Sequence, residues 1–593
     1  MLARVKGWLA DRRAPLLVAI LAILLLLPTL GAGAIMDDHT HRMAYHPTFT
    51  RPGGPRGDWD VFRFLEDDPA ALRSLRESGI WPWWAVDGSR LAFLRPLPSL
   101  WHALDYRVWP NAYWFMHAES ILVFAATAFF AAHLYRRLFG ATVAAGLAAL
   151  IFAVDDTHAM VVAWIANRHA ILSTLFAVLT LLAHDRARRD GWKPGIFLAP
   201  LALFGAMFSG ESGLGALAYL FAYALFLDRA PLRSRAAALV PHVGVALLWF
   251  AAYKLGRYGA AGGVFYIDPL RQTEEFLRAV ATRLPVLLAG QMAAPPADVW
   301  MLWPQSETRS LVSICLLVLL VLGGGIFAVL RRDRNAAFFA VGMTLSLLPT
   351  CAVWPGDRLL LFAGLGGSGL VASMLVASRE HLGRAARVYV GAVAAVLVLF
   401  HLVLAPLLLP LRAWSTGEML HGYTERAITS MPKFDAAAQQ TLVVVSSPDS
   451  IIANTAIAAR INANEAMPSP LRVLSTVQRG TLKVGRVDAR TLSVTLSDGF
   501  FMEPTATVFR DPERAPLRVG DRVDVGSMVA QIVTLTPDGK LPAQIDFHFD
   551  RSLDDPSMVW VVWEKTRFVR FEVPKVGETR ELPVVPYQTA MGG

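Results

Sequence analysis

Charged and histidine side chains gather in this sequence at the ends of long apolar stretches, beginning with the adjacent carboxylates Asp37 and Asp38. This pair directly follows the apolar stretch 14–36. One of the two carboxylates could accept a proton from an attacking hydroxyl group, or ligate a divalent metal ion. Taken alone, the pair is explained more simply as a solvated helix end, so its interpretation depends on the residues that accompany it.

Ionisable side chains also occur beside two later apolar stretches. His117 lies near the start of the stretch 112–135, where an ionisable group is costly and usually faces a polar cavity. The turn between the next two stretches contains Asp155, Asp156, His158 and Arg168. These four side chains could hold a metal ion and a phosphate group, with Asp38 as a further candidate metal ligand.

Two more turns add Glu211 and the adjacent pair Asp357 and Arg358. The planar guanidinium group of arginine suits a phosphate oxyanion, so Arg358 is a candidate for binding one. Singly, each of these residues is more often a helix cap or a surface ion pair. Their occurrence at turns on one predicted side of a membrane favours a shared site.

The composition of the chain predicts that these residues lie at the ends of membrane helices. The chain has 593 residues, of which 54% are hydrophobic and 17% charged, whereas soluble domains contain about 45–50% and about 25%. The apolar residues concentrate in the first 411 positions, which excludes an ordinary cytoplasmic enzyme and a disordered protein. We predict about eleven transmembrane helices, at 14–36, 112–135, 139–154, 169–183, 195–208, 213–227, 237–253, 310–330, 336–352, 359–377 and 386–411.

Two stretches need separate interpretation. The first could be a signal peptide, but its apolar core exceeds the usual 7–15 residues, which favours a retained helix. Residues 273–292 are amphipathic and are expected to lie at the membrane interface or to re-enter the membrane. The aromatic run 81–84 is most simply part of an interfacial belt.

Basic residues predict the orientation of the chain. They cluster on the side of the N-terminus, at 136–137, 186–193, 229–235, 331–334 and 379–387. The positive-inside rule then places the N-terminus in the cytoplasm, and the loop 36–111 and the C-terminal region outside it. The net charge of +9 comes from the membrane region, so it gives no reason to expect nucleic acid as a partner. The two cysteines, Cys315 and Cys351, lie in apolar stretches and imply neither a disulfide framework nor a zinc site.

Residues 412–593 form the second predicted domain. The run 441–446 reads as a buried strand and 451–466 as a helix. Short alternating runs separated by turn signals such as Ser497-Asp-Gly and Pro537-Asp-Gly follow, which predicts a β-rich (α+β) fold.

At its charged turns the chain resembles the GT-C superfamily of polytopic glycosyltransferases, and especially the branch of the protein O-mannosyltransferases and the transmembrane and tetratricopeptide-repeat proteins. Asp37-Asp38 match that branch's Asp-Asp pair, and Arg95-Pro96-Leu97 match its Arg-Pro-Leu motif. His117 matches a Phe-His step, although Met116 replaces the Phe.

Other positions match the branch in part. Within the motif His-Pro-x-His-x-Glu-x-Val-x-Trp, His158, Val162 and Trp164 agree, whereas Asp155-Asp156 replace His-Pro and Met160 replaces the Glu. Ser209-Gly210-Glu211 lacks a lysine, and Asp357-Arg358 keeps the charges of a Glu-Arg-Tyr step. The family's helical repeats are absent, and the predicted β-rich domain takes their place.

The resemblance implies an inverting membrane glycosyltransferase of a bacterial-type inner membrane. Its donor would be a polyprenyl-phosphate-linked sugar, and its acceptor a protein, lipid or glycan on the extracytoplasmic face. Asp37 or Asp38 would be the catalytic base; Arg358, Arg168 and Arg95 would hold the phosphate, and His117, His158, Glu211 and Asp357 would complete the substrate site. Membrane lipid surrounds such a protein, and a divalent metal is a possible cofactor.

Two other classes stay open. The lost family residues at 155, 160 and 210 suit a non-catalytic transporter or scaffold on the same membrane body. A membrane sensor would place the C-terminal domain in the cytoplasm, which an odd number of crossings argues against.

Overall fold

Apolar helices form most of the first 430 residues of the computed structural model, which describes residues 7–47, 49–51, 57–65, 68–435 and 439–592. Within these residues, eight helices are long and apolar enough to cross a membrane: Ala14–Gly31, Tyr113–Phe139, Val143–Ala163, Ile165–Asp190, Leu232–Leu255, Thr308–Leu330, Arg334–Ala352 and Arg384–Ser430. Three shorter apolar helices accompany them, at Gly195–Ser209, Glu211–Phe226 and Ala363–Val376. Each apolar stretch of the sequence is therefore helical.

The outward surfaces of these helices are apolar. Leu247 and Leu320 are examples, with 63% and 73% of their area exposed on Leu232–Leu255 and Thr308–Leu330. A helix satisfies its own backbone hydrogen bonds, so such a surface is stable in lipid, whereas in water it would be an aggregation-prone patch. The chain is a helical membrane protein, as predicted, and the number of its crossings stays a prediction.

The loop after the first membrane helix is folded. It contains the helices Asp37–Ala44, Pro69–Ser78 and Pro96–Val108, the last two of which begin at proline, a residue suited to the first helical turn. Its strands β1 (Arg63–Leu65) and β2 (Arg90–Ala92) form an antiparallel sheet with β3 (Gly259–Ala261), which follows the helix Leu232–Leu255. This small sheet joins two loops on one side of the membrane region.

The predicted amphipathic stretch 273–292 is also helical, at Thr273–Met292, and a short helix follows at Val299–Leu302. One face of the longer helix is buried, including Val286 and Leu287, whereas Leu277 is 62% exposed. The described residues therefore agree with an amphipathic helix, and its depth in the membrane stays a prediction.

The C-terminal region contains ten described strands in two sheets, which confirms the predicted β-rich fold. The strands are β4 (Thr441–Ser447), β5 (Leu471–Thr476), β6 (Leu482–Arg486), β7 (Thr491–Leu496), β8 (Arg522–Asp524), β9 (Met528–Leu535), β10 (Pro542–Phe549), β11 (Met558–Glu564), β12 (Arg567–Arg570) and β13 (Thr579–Leu582). One sheet has the order β12-β11-β4-β5, with β4 parallel to both neighbours. The other is antiparallel, in the order β13-β6-β7-β10-β9-β8. As predicted, β4 is buried throughout, and a helix follows it at Ile452–Asn462.

The predicted domain boundary at residue 412 lies within a continuous helix, Arg384–Ser430, which passes through two π-helical segments, Leu399–Leu404 and Gly417–His421. The C-terminal part of this helix packs on the β-rich domain, where Tyr423 and Ala427 belong to the same buried core. The helix therefore continues beyond the end of the apolar stretch 386–411.

The outer loop and the β-rich domain share one hydrophobic core. Trp81, Trp83 and Trp84 are buried in it rather than forming an interfacial belt, and the Trp83 ring lies 5.7 Å from that of Phe547. The Trp83 indole N–H donates a hydrogen bond to the carbonyl oxygen of Leu474 (3.1 Å). The loop and the domain therefore lie on the same side of the membrane helices.

Candidate functional site

A cavity of about 1470 Å³ lies where the membrane helices, the outer loop and the β-rich domain meet. Four residues singled out in the sequence line it: Asp37, Arg95, Glu211 and Arg358. They come from four separate turns of the chain. The fold therefore brings these four predicted site residues to one cavity.

Hydrogen bonds from two histidines hold the turn before Asp37. His117 Nε2 donates to the carbonyl oxygen of Gly33 (2.8 Å), and His421 Nδ1 donates to that of Ala34 (3.1 Å). Met36 has φ 41°, a left-handed conformation that costs a non-glycine residue about 1–3 kcal/mol. Such strain persists only where the surroundings fix the backbone, so the direction in which Asp37 points is determined by its neighbours.

Asp37 is partly exposed to the cavity. Burial raises the pKa of its carboxyl group to about 6, although Arg358 and Arg95 act in the opposite direction. A carboxylate with this pKa is ionised at neutral pH and still basic enough to accept a proton. Asp37 therefore has the exposure and the pKa of a general base.

Asp38 has a different environment. It is fully buried, and its two carboxylate oxygens accept hydrogen bonds from the backbone N–H groups of Ile35 (2.9 Å) and Ala166 (2.7 Å). Burial raises the pKa of Asp38 to about 8, against the effect of these two donors. Asp38 does not line the cavity, and its contacts fix the turn that carries Asp37.

Arg358 provides an available positive charge. Its guanidinium lies 5.9 Å from the centre of the Trp164 ring, and it forms no ion pair or hydrogen bond with the described residues. Asp357, next to it, is turned away: its Oδ1 accepts from the Ala297 N–H (2.7 Å), and its Oδ2 pairs with Arg412 (2.7 Å). An arginine without a partner beside a cavity is suited to an anionic ligand.

Arg95 and Glu211 form an ion pair at the cavity wall, with 2.8 Å between Arg95 Nη2 and Glu211 Oε2. The guanidinium of Arg95 also lies over the rings of Phe93 and Phe62, at 4.5 and 5.1 Å. Because Glu211 already balances its charge, Arg95 is less suited than Arg358 to bind a phosphate group.

The structure places Arg168 outside the cavity, in a closed polar network. Its fully buried guanidinium pairs with Asp105 (2.6 Å) and Glu119 (3.3 Å) and donates to the carbonyl oxygen of Met116 (2.7 Å). With its donors engaged, Arg168 has the environment of a structural residue. Its predicted contact with donor phosphate therefore has no support from its position.

The candidate metal ligands are also separated from the cavity. Asp155 accepts hydrogen bonds from Thr157 and Gln291, whereas Asp156 pairs with Arg412 at 2.8 Å. The ring of His158 packs between Phe124 and Phe152, with centroid distances of 5.3 and 5.1 Å. Across the described part of the chain, no group of three or more His, Cys, Asp or Glu side chains is arranged to hold a metal ion. Asp155 and Asp156 are thus engaged by other side chains. A metal ion stays a prediction, and no chemical step below uses one.

Further residues at the cavity were not singled out as site residues from the sequence. Tyr266 lies between β3 and the helix Thr273–Met292 and forms a β-bridge with Val353, which leads to Arg358. Asn167, His169 and Ser212 are further polar examples. Asn167 and His169 flank Arg168, which was predicted as a site residue, so the polar turn at the start of this apolar helix could have indicated them. No sequence signal indicated Tyr266.

Fold and site together define a helical membrane protein whose β-rich domain covers a charged cavity. No protein-family model matches the chain, and no curated protein sequence matches it significantly. Its function is therefore argued from the geometry of this cavity.

Proposed function

We propose that this protein is a membrane glycosyltransferase that transfers a sugar from a polyprenyl-phosphate donor to a hydroxyl or amino group of a protein, lipid or glycan acceptor, with inversion. One observation carries the proposal: a partly exposed carboxylate, Asp37, lines the same cavity as Arg358, whose guanidinium has no ion pair among the described residues. Sugar transfer from a phosphate needs both a base for the acceptor and a positive charge for the leaving group.

The reaction is a single displacement at the anomeric carbon. The acceptor atom forms a bond to this carbon while the bond from the carbon to the phosphate oxygen breaks. The acceptor's proton passes to Asp37, and the electron pair of the broken bond leaves on the polyprenyl phosphate, whose charge Arg358 stabilises. Attack from the side opposite the phosphate inverts the configuration, and water then removes the proton from Asp37.

The apolar rim of the cavity supports a lipid-linked donor. The cavity reaches Val243, Leu247 and Phe250 on one helix and Met301 and Leu302 on a neighbouring one, and all five side chains are exposed. A soluble sugar nucleotide has no lipid chain that could pack on such an apolar surface. An isoprenoid chain can lie along it while its phosphate group reaches Arg358.

The shared core of the outer loop and the β-rich domain supports an odd number of crossings. The loop follows the first membrane helix and the domain follows the last, so two regions on one side require an even number of crossings between them. The eight long helices alone would separate them, whereas eight long and three short helices satisfy the requirement. We therefore keep eleven crossings, within the GT-C-like body that the sequence motifs suggested.

The location follows from this topology and from the basic clusters. We place the N-terminus in the cytoplasm and the β-rich domain on the extracytoplasmic face of a bacterial-type inner membrane. A reporter enzyme that is active only in an oxidising compartment, fused after Gly593, should be active. A reporter that is active only in the cytoplasm, fused at the same position, should be inactive; the reverse pattern contradicts the topology.

The activity itself is tested with the purified full-length protein and a panel of labelled polyprenyl-phosphate sugars. We expect release of the sugar from at least one lipid donor in the presence of membrane acceptors, and no release by the Asp37→Asn variant. Binding without release by the unsubstituted protein, across the whole panel, would instead favour a transporter or scaffold.

A further inference from the structure

Among the described residues, six buried polar atoms at the cavity have no hydrogen-bond partner. One is Trp249 Nε1, on the helix Leu232–Leu255. The other five come from two turns of the chain: Trp164 Nε1, Asn167 Nδ2, His169 Nδ1, Glu211 Oε1 and Ser212 Oγ. We call this set of five the polar patch.

The two turns of the polar patch lie against each other. A Cβ atom at Gly210 would lie 3.1 Å from His169 Nδ1 and 3.6 Å from Ser212 Oγ. Gly210 has an extended backbone (φ −179°) that any residue adopts, so its conformation does not require glycine. Its missing side chain instead leaves space beside these two polar atoms.

Leaving a buried polar atom without a partner costs about 1–3 kcal/mol. Five such atoms at one place therefore mark a surface whose hydrogen bonds are completed by water or by a polar ligand that displaces it. The patch combines indole and amide donors, a carboxylate acceptor and a hydroxyl group that does both. A sugar ring presents the complementary mixture of donors and acceptors.

We infer that the polar patch binds the ring hydroxyls of a neutral hexose or pentose, an inference that rests on the proposed function. Trp164 belongs to the polar patch, and the guanidinium of Arg358 lies over its ring. The polar patch is therefore next to the proposed phosphate-binding residue. The charge of Glu211 is balanced by Arg95, so the patch has no unpaired charge to bind a uronic acid or an amino sugar. The ligand is thus the uncharged sugar of a lipid-phosphate donor.

The test compares the binding of two labelled lipids to the purified full-length protein in detergent. One is polyprenyl phosphate alone, and the other is polyprenyl-phosphate hexose. Ser212→Ala removes one hydroxyl from the patch, and Gly210→Ala fills the space beside His169. Ser368→Ala is the matched control, because its buried hydroxyl also lacks a partner among the described residues but lies outside the cavity.

We expect the unsubstituted protein to bind the hexose-linked lipid more tightly than the plain one. Ser212→Ala and Gly210→Ala should each weaken binding of the hexose-linked lipid by about three- to tenfold, the value of one hydrogen bond, and leave binding of polyprenyl phosphate unchanged. Ser368→Ala should change neither affinity.

Four results overturn the inference. Equal binding of the two lipids by the unsubstituted protein, or an equal effect of the variants on both, removes the sugar subsite while leaving the lipid-phosphate site. A third labelled lipid, which carries a uronic acid or an amino sugar, contradicts the neutral ligand if it binds more tightly than the hexose-linked lipid. Failure to bind either lipid overturns the proposed function together with the subsite.

Discussion

Two polar regions lie on the side of the membrane helices that faces the β-rich domain, and they contain the same residue types with different internal pairing. In the network around Arg168, the guanidinium is fully buried and paired with Asp105 and Glu119. At the cavity, Arg358 has no ion pair with the described residues, and Asp37 is partly exposed. A charge with all its partners inside the protein stabilises the fold, whereas one without them is available to a ligand.

The same contrast separates the two neighbours Asp37 and Asp38. Both oxygens of Asp38 accept backbone hydrogen bonds, so this carboxylate holds the turn, whereas Asp37 faces the cavity. Arg412 also has internal partners, since it pairs with Asp156, Asp298 and Asp357. Charge and position at a turn are therefore not sufficient to identify a site residue; the number of internal partners decides.

The largest expected effect is that of Asp37→Asn on turnover. Asparagine keeps the size of the side chain but cannot accept the acceptor's proton, so the rate of sugar release should fall about 10²- to 10⁴-fold. The assay follows labelled sugar leaving the lipid in membranes that contain the variant. Expression and lipid binding serve as the controls and should match those of the unsubstituted protein. Release at the unsubstituted rate would show that Asp37 is not the base.

Replacing the two arginines by methionine should separate the two regions. Arg168→Met leaves the Asp105 carboxylate buried without its partner, which should lower the free energy of unfolding by about 3–5 kcal/mol. The measurement is thermal unfolding in detergent.

Arg358→Met is the matched substitution at the cavity. It should leave the thermal transition close to its original temperature and weaken binding of polyprenyl phosphate about 10- to 100-fold, the value of a charge-assisted hydrogen bond. Arg358→Lys should recover only part of this binding, because lysine lacks the two-pronged donor geometry. If both methionine variants unfold alike, the comparison between a closed network and an open site fails.

Asp38→Asn should act on stability. An asparagine has only one acceptor oxygen, so the N–H group of Ile35 or Ala166 would face the NH₂ group of the amide. The expected loss is about 1–3 kcal/mol in the free energy of unfolding. Asp37→Asn is the control, and a greater loss of stability in that variant would reverse the roles assigned to the pair.

The smallest predicted effect is a pH dependence set by Asp37. Its folded-state pKa is raised from 3.8 to about 6, so turnover should fall about tenfold per pH unit below pH 6, where the base is protonated. The free energy of unfolding should instead decrease as the pH rises. The folded state binds this proton more tightly than the unfolded state, so the contribution of Asp37 to stability falls as the pH rises from about 4 to about 6. Asp37→Asn removes only the contribution of Asp37, so the unfolding profiles of the two proteins should differ between about pH 4 and pH 6. Identical profiles would contradict the raised pKa of Asp37.

Much of the fold followed from the sequence because its signals are local. Transfer of an apolar helix into lipid depends on a run of about twenty residues, and each predicted stretch is helical. The buried strand at 441–446 and the β-rich region after it were likewise visible in short runs. The prediction that the tryptophans at 81–84 form an interfacial belt was wrong. An aromatic run after a membrane helix has the same composition whether it contacts lipid headgroups or a second domain.

By itself, the sequence determined which segments are apolar, where they end, and which charged residues stand at those ends. Only the tertiary structure decided which of these charges are satisfied. The Arg168–Asp105 pair joins positions 63 residues apart, and the Arg412–Asp156 pair joins positions 256 residues apart. Whether a buried charge is paired depends on such distant partners and not on its sequence neighbours, so Asp37 and Asp38 are alike in the sequence and different in the folded protein.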